Sequence, residues 1–402
     1  MHDALPITAY SVCNGLGATT EAVLDNLFAG QRGLSATQDE YGLSTFIGRV
    51  PGELACVPER LAAFESRQAR LTVQVTLPLL DAIEQTKRRW GAARVGIMIG
   101  TSTAGIAESE RAWIHHRDHG RLPEGFAIER QHALYAGVEV VRALSGVAGP
   151  GYVVSTACSS SGKVFASARR LIAAGVIDAA IVGGVDSLCQ MTVRGFAGLE
   201  VLSSEPCRPF SSERKGINIG EGGALLIVER PRHPTLGEFE HRGVALLGVG
   251  ESSDAHHMTA PHPEGLGARM AMARALASAG LEPDAVDHVN VHGTGTLMND
   301  ASESRAIREL FGPERCQGEL ALVATKGYTG HTLGAAGASE AVFALASIER
   351  AMLPASVGSD PLDESLGVRV VDRATRRATT CVLSNSLAFG GSNVSVLLGA
   401  CR

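Results

Sequence analysis

The chain has 402 residues, enough for two or more packed units around a substantial buried core. Hydrophobic residues make up 45% and aromatic residues only 4%, and the 47 glycines show no three-residue period, which excludes collagen-like and disordered chains and points to close packing of small and aliphatic side chains. With 42 acidic residues against 36 basic ones the net charge is −6, so there is no general drive toward nucleic acid or anionic membranes, and an acidic partner would need a local basic patch.

The first residues, Met1-His2-Asp3-Ala4, carry no basic segment leading into an apolar stretch, and no run of 18 apolar residues occurs. A cytoplasmic protein with no membrane partner is expected. The eight cysteines form no C-x-x-C pair, and they read as reduced thiols rather than staples.

Short β-branched runs alternate with alanine-rich stretches, the pattern of α/β layers. In chain order, strands are predicted over Arg94–Gly100, Gly151–Val154, Asp178–Val185, Val286–Val291, Leu320–Ala324 and Cys381–Leu383. Val164, Phe165, Ala168, Leu171 and Ile172 recur at helical spacing between the second and third of these. One order appears twice: strand, small-residue turn, alanine-rich helix over Tyr152–Ala174, and again over Leu320–Arg350. This reads as an internal duplication that sets two turns at matching sheet ends, where α/β proteins place their chemistry. The stretch Pro231–Gly237 (PRHPTLG) is the expected boundary, giving units 1–235 and 236–402.

Within the first turn, Ser155-Thr156-Ala157-Cys158-Ser159-Ser160-Ser161-Gly162, a cysteine stands where a helix begins. Unpaired backbone N–H groups and the helix dipole favour a thiolate there. Cys158 is therefore either a nucleophile or a buried structural cysteine, the common fate of a free thiol. His292 (NVHGTGT) and His331 (KGYTGHTLG) each follow an apolar strand and are flanked by glycine. Each is a candidate hydrogen-bond donor toward a substrate, or else a satisfied core histidine. A metal is not expected, because Cys158, His292 and His331 lack the short paired spacing of zinc ligands. His256, His257 and His262 read as a loop bordering a site, and His115, His116 and His119 as a solvated helix face. No G-x-G-x-x-G, Walker or G-x-S-x-G turn is present.

Taken together, STACSSSG (155–162), DAAIVGGVDSL (178–188), CRPFSSERKGINIGEGGALLIVE (207–229), SSDAHHMTAP (252–261), VHGTGTLMND (291–300), KGYTGHTLGAAGASE (326–340) and SNSLAFGGSN (384–393) resemble the elongating β-ketoacyl-(acyl carrier protein) synthases. The resemblance implies a thiolase fold, two similar halves in a five-layered α/β/α/β/α sandwich, assembled as a homodimer or as a heterodimer with a paralogue. It implies decarboxylative condensation of a malonyl carrier with an acyl group held on Cys158, in fatty acid or in polyketide or polyene synthesis. No cofactor is implied, since the phosphopantetheine arm arrives on the acyl carrier protein. A non-catalytic, chain-length-factor-like partner subunit and a coenzyme A thiolase are the alternatives. By the same resemblance His292 and His331 stabilise the enolate, and backbone N–H groups of Cys158 and Phe389 hold the oxyanion. Lys326 pairs with Glu303 to order the histidines, and Thr294 and Thr296 contact the arm. Arg67, Arg70 and Arg208 dock the carrier, with Arg117 and Arg121 as weaker candidates. The sequence departs from the usual pattern at Leu387, Ala388 and Ser392, and at Ser211 and Lys215. Alanine for a turn glycine at 388 raises the question of restricted positive φ in the segment carrying Phe389.

Overall fold

The computed structural model describes residues 4–37, 40–231 and 241–401. Beyond Pro231, the expected boundary stretch lies outside the described residues. Ten strands form one sheet. In the N-terminal half they are β1 (Leu5–Asn14), β2 (Val95–Gly100), β3 (Gly151–Val154), β4 (Ala179–Asp186) and β5 (Gly222–Glu229). In the C-terminal half they are β6 (Val244–Ser253), β7 (His288–Val291), β8 (Ala321–Ala324), β9 (Cys381–Ala388) and β10 (Ser392–Ala400). The spatial order is β8-β7-β9-β10-β6-β1-β5-β4-β2-β3. Each half therefore has the same order, with β1 to β5 matched by β6 to β10. Pairing direction matches as well: β2 is parallel to β3 and β4 while β4–β5 and β5–β1 are antiparallel, and the corresponding C-terminal pairs repeat this. Between the halves, β1 and β6 share only the pairs Leu5–Leu246 and Pro6–Ala245.

The helices used below are α1 (Thr20–Phe28), α2 (Arg67–Thr76), α3 (Leu80–Trp90), α4 (Ile106–His119), α5 (Ala136–Ser145), α6 (Ser160–Ala173), α7 (Gln190–Gly198), α8 (Leu266–Ala279), α9 (Leu297–Phe311) and α10 (Ala336–Arg350). The apolar faces of α6 and α10 are buried together between the two halves, with Val164, Phe165 and Ala168 meeting Ala338, Ala341 and Phe343 in one cluster. A residue such as Phe165, with no exposed surface, contributes about 2–3 kcal/mol by burial. On the outer faces, α2, α3 and α5 cover β2 and β4, and α8 and α9 cover β7 and β9. This is the expected five-layered sandwich. No helix among the described residues is long and apolar enough to cross a membrane.

Where α6 and α10 cross, their first turns nearly touch. A Cβ added to Gly337 would lie 2.9 Å from the Gly162 nitrogen, so only glycine permits this approach. Ala338 N–H donates to Ser161 Oγ at 2.9 Å. The crossing brings together the turns that precede the two helices, and those turns carry Cys158 and His331.

Candidate active site

The Cys158 turn is built from its own hydroxyls. Ser160 Oγ accepts from Thr156 N–H (2.9 Å) and donates to the Ala157 carbonyl (2.5 Å), while Ser159 Oγ donates to the Thr156 carbonyl (2.8 Å). These bonds hold Ala157 at φ +51°, a left-handed conformation that costs an L-residue about 1–2 kcal/mol, and the turn presents Cys158 at its apex. Ser159 Oγ also reaches Ser392 Oγ at 3.1 Å, so serine at 392 keeps a hydroxyl beside the nucleophile turn.

His292 leaves the end of β7, and His331 follows the short helix Lys326–Thr329. The His331 backbone is fixed by Asn218, whose carbonyl accepts its N–H at 2.7 Å. The two imidazoles meet edge-on, with centroids 5.2 Å apart and planes at 81°. Cys158 Sγ and one nitrogen of each ring lie within 4.8 Å of one another. All three residues are buried, and they share a pocket with Thr294, Thr296 and Phe389.

Lys326 Nζ donates to His292 Nδ1 (3.2 Å), to the His292 carbonyl (2.5 Å) and to Glu340 Oε1 (2.7 Å). The first of these bonds leaves the His292 ring proton on Nε2. Glu303 does not pair with Lys326, contrary to the resemblance-based expectation. Its carboxylate instead accepts from the backbone N–H groups of His292 (2.8 Å) and Gly293 (2.9 Å) and from Asn385 Nδ2 (3.1 Å). Glu303 thus orders the histidine's backbone, and Lys326 with Glu340 orders its ring.

Burial sets the electrostatics. It pushes the Cys158 thiol up to about 12, outweighing the attraction of Lys326 and the backbone N–H groups of Cys158 and Phe389, both of which bond toward the sulfur. The expected helix-favoured thiolate is therefore not the resting form: α6 begins two residues later, at Ser160, and desolvation exceeds its pull. Desolvation, reinforced by Lys326, holds both histidines well below the ordinary imidazole range, so they are neutral donors. Glu303 is raised to about 7 and Glu340 is also raised, each chiefly by burial.

Thr294 and Thr296 line the pocket with their hydroxyls 2.9 Å apart. Phe389 packs at 5.6 Å on Phe196. Ala388 lies at φ −115°, extended backbone open to any residue, so its methyl imposes no strain. The positive φ values fall instead on Gly390 (+80°) and Gly391 (+71°). The histidine loop does border the pocket, through Asp254 and Thr259–Pro261. Asp254 accepts from Asn393 Nδ2 at 2.8 Å and Met258 O from Gly390 N–H at 2.7 Å, tying this loop to the Phe389 turn.

The proposed docking arginines are not brought together as a free basic patch. Arg67 is bound to the buried carboxylate of Glu221, Arg70 to Glu65 (2.5 Å), and Arg208 to Glu213. The pattern departures also have partners: Ser211 Oγ donates to the Pro361 carbonyl at 2.9 Å, and Lys215 pairs with Glu205 at 2.6 Å.

Two functional carboxylates escaped the sequence reading. Glu340 is the one acid among the small and apolar residues of the first half of α10, a signal that was available. Asp186, at the end of β4, is fully buried. It accepts from Thr101 Oγ1 (2.6 Å), Ser102 N–H (2.9 Å), Thr103 N–H and Oγ1 (both 2.8 Å) and Ala335 N–H (3.2 Å). Asp186 thereby ties the loop after β2 to the turn after His331.

Residues 4–233 match the β-ketoacyl synthase N-terminal domain and residues 244–360 its C-terminal domain. The chain belongs to the β-ketoacyl synthase family. It is 30% identical to 3-oxoacyl-[acyl-carrier-protein] synthase 2 of Vibrio cholerae, over 97% of each chain, and 33% identical to the synthase of that name from Staphylococcus aureus, over 78% of each. Among solved structures it superposes with TM-score 0.89 on a chain of the ketosynthase ApeO in complex with its chain length factor ApeC from Xenorhabdus doucetiae, at 36% identity, covering 99% of this chain and 98% of that one. The β-ketoacyl synthase described here is a condensing acyltransferase of the elongating type.

Proposed function

We propose that Cys158 carries the growing acyl group and that His292 and His331 act on the extender. The observation that supports this most directly is one buried thiol and two neutral imidazoles within 4.8 Å in a single pocket. The Cys158 sulfur attacks the acyl-carrier thioester, and the developing oxyanion is held by the N–H groups of Cys158 and Phe389. The carrier's thiol then leaves with the proton that Cys158 gave up. When the malonyl donor binds, its carbon–carboxylate bond breaks, carbon dioxide departs, and the electron pair becomes an enolate. His292 Nε2–H and a ring N–H of His331 donate to the enolate oxygen. The enolate carbon attacks the acyl-Cys158 carbonyl, the C–S bond breaks, and the released Cys158 thiolate takes up a proton from solvent. Thr294 and Thr296 contact the phosphopantetheine arm; the chain itself supplies the remaining groups, with no further cofactor. Intact-protein mass after incubation with an acyl-carrier protein tests this. An acyl adduct lost in Cys158→Ala is expected, and an adduct that survives that change refutes it.

For assembly, β3 is one edge strand of the sheet, Tyr135 Oη donates to its Gly151 carbonyl, and Tyr135 and its neighbour Leu134 are exposed apolar residues. We infer a dimer through this side, with a second copy or a paralogue, in the cytoplasm, where cysteine thiols stay reduced. Native mass spectrometry of the purified chain alone distinguishes the two compositions.

A further inference from the structure

An oxyanion hole made of two backbone N–H groups works only while both point at one atom, and here the two come from separate segments. The Cys158 N–H belongs to the turn before α6, and the Phe389 N–H to the turn Phe389–Gly391 that joins β9 to β10. Both bond toward the Cys158 sulfur. The second turn has little stiffness of its own, because Gly390 and Gly391 follow Phe389 and the space beside Gly390 is open. Its place is set by what it is bonded to.

Those bonds run to two sides. On one side, Gly390 N–H donates to the Met258 carbonyl (2.7 Å) and the Gly391 carbonyl accepts from Asp254 N–H (2.8 Å), which ties the turn to the histidine loop. On the other side, among the described residues, one hydrogen bond between side chains joins it to the nucleophile turn, from Ser159 Oγ to Ser392 Oγ at 3.1 Å. Ser159 directly follows Cys158, and Ser392 opens β10 directly after the turn, in register with Ala388. Ser159 is fully buried, and its hydroxyl meets three partners: the Thr156 carbonyl (2.8 Å), Thr156 Oγ1 (3.0 Å) and Ser392 Oγ. One proton and two lone pairs match three contacts, so the contact with Ser392 completes the set. Neither serine lines the catalytic pocket, and both reach the chemistry only through the turns they hold.

We propose that Ser159 and Ser392 are positioning residues, a hydroxyl clasp that keeps the two donors of the oxyanion hole in line during acyl transfer to Cys158. The inference rests on the acyl transfer proposed above. The clasp adds a requirement to it: a hydroxyl at each of the two positions.

The test follows single-turnover transfer of a hexanoyl group from a bacterial type II acyl carrier protein to Cys158, by intact-protein mass. The proteins are the wild type, Ser392→Ala, Ser392→Thr, Ser159→Ala and the double alanine variant. Alkylation of Cys158 by iodoacetamide is measured alongside, because displacement at a saturated carbon builds no carbonyl oxyanion and reads the thiol alone. Each alanine variant should slow acyl transfer about tenfold, less than the roughly 100-fold or more lost with a whole oxyanion donor, while alkylation stays within about threefold. The half-saturating carrier concentration should stay within about twofold, since the donors act on the transition state. Ser392→Thr keeps the hydroxyl on a residue suited to a strand and should hold transfer within about threefold of wild type. The double variant should be within about twofold of the slower single variant, since both changes remove one contact. Wild-type transfer rates in Ser392→Ala, alkylation that falls in step with transfer, or effects that multiply in the double variant would overturn the proposal. If Ser159→Ala, which also strips Thr156 of a partner, is poorly folded by circular dichroism, the contrast between Ser392→Ala and Ser392→Thr decides it. A wild-type enzyme that takes up no acyl group refutes the condensing reading and the clasp with it, whereas normal uptake that Ser392→Ala leaves untouched refutes the clasp alone.

Discussion

Replacing Lys326 by methionine isolates the electrostatic support of His292. The ammonium lies 2.7 Å from Glu340 Oε1, where the attraction of unit charges at an effective dielectric of 20 is about 6 kcal/mol. Both groups are buried, and Glu340 Oε2 has no hydrogen-bond partner among the described residues, so removal of the lysine strands a carboxylate. That carboxylate has an escape, because it can take up a proton. Protonating a glutamate of ordinary value 4.5 at pH 7 costs about 3.4 kcal/mol, which caps the loss and falls within the roughly 3–5 kcal/mol expected for breaking a buried pair. With an unfolding entropy of about 2.1 cal/mol/K per residue, the melting temperature should fall about 4 °C at pH 7. The sign with pH follows from linkage: the variant's Glu340 is raised in the folded state, so its penalty is greatest at neutral pH and falls to about 1 °C near pH 5.

The second half of the cycle discriminates between the two candidate partners. Adding Glu340→Gln to Lys326→Met should restore most of the lost stability, because the stranded charge is gone. Adding Glu303→Gln should instead deepen the loss, because Glu303 accepts two backbone N–H groups with its two oxygens and a glutamine amide would turn a donor toward one of them. Melting by circular dichroism for the wild type and the three variants, with kcat for malonyl condensation, reads both effects. Recovery in the Glu303 double variant and none in the Glu340 one would refute the assignment. In every Lys326→Met background kcat should fall, since the Nδ1 bond that fixes the His292 tautomer is lost.

Asp186→Asn should lower kcat at least tenfold with little change in KM, since an amide cannot accept from both the β2 loop and Ala335; a change confined to KM would show that Asp186 acts on binding. Alkylation of Cys158 by iodoacetamide should speed up about tenfold per pH unit from 7 to 10, as the thiolate fraction rises toward a pKa of about 12, and a plateau below pH 9 would contradict the buried-thiol account. Gly390→Ala should cost about 1–2 kcal/mol in denaturant unfolding through backbone strain alone, because φ is +80° and a Cβ there meets no atom within 4 Å. Ala388→Gly should cost about 0.5–1 kcal/mol; a gain in stability would mean that the alanine is strained after all.

The strands β2, β3, β4 and β8 were legible as short runs dominated by apolar residues, and β7 as the alternating segment that ends in Val289-Asn290-Val291. The long antiparallel strands β1, β5, β6 and β10 were not, and β6 shows why. Gly248 and Gly250 break its apolar pattern, yet helix α8 packs so close that a Cβ on Gly250 would sit 2.0 Å from the Ala271 carbonyl. The residues that obscure the strand are the ones the packing requires. In β9 the legible part was Cys381–Leu383, because Ser384, Asn385 and Ser386 look like a turn. They are buried strand residues whose polar groups are used across the sheet: Asn385 donates to Glu303 and accepts from Ser395 Oγ at 2.7 Å.

The site divides along the same line. Cys158, His292 and His331 announce themselves through strand-end turns, which are local in sequence. The partner of Lys326 does not, because Glu303 and Glu340 are both acids on helices that run back from the site, and only the folded geometry decides between them. The duplication explains why the decision falls this way. The first turns of α6 and α10 meet at Gly162 and Gly337, and Glu340 lies one turn along α10 from that crossing, on the helix that follows His331. Glu303 rides on α9, which follows His292 and reaches that histidine's backbone instead. Each acid therefore serves the region its own helix can reach, and His292 is held from two directions: its backbone by Glu303, and its ring by Lys326 anchored on Glu340.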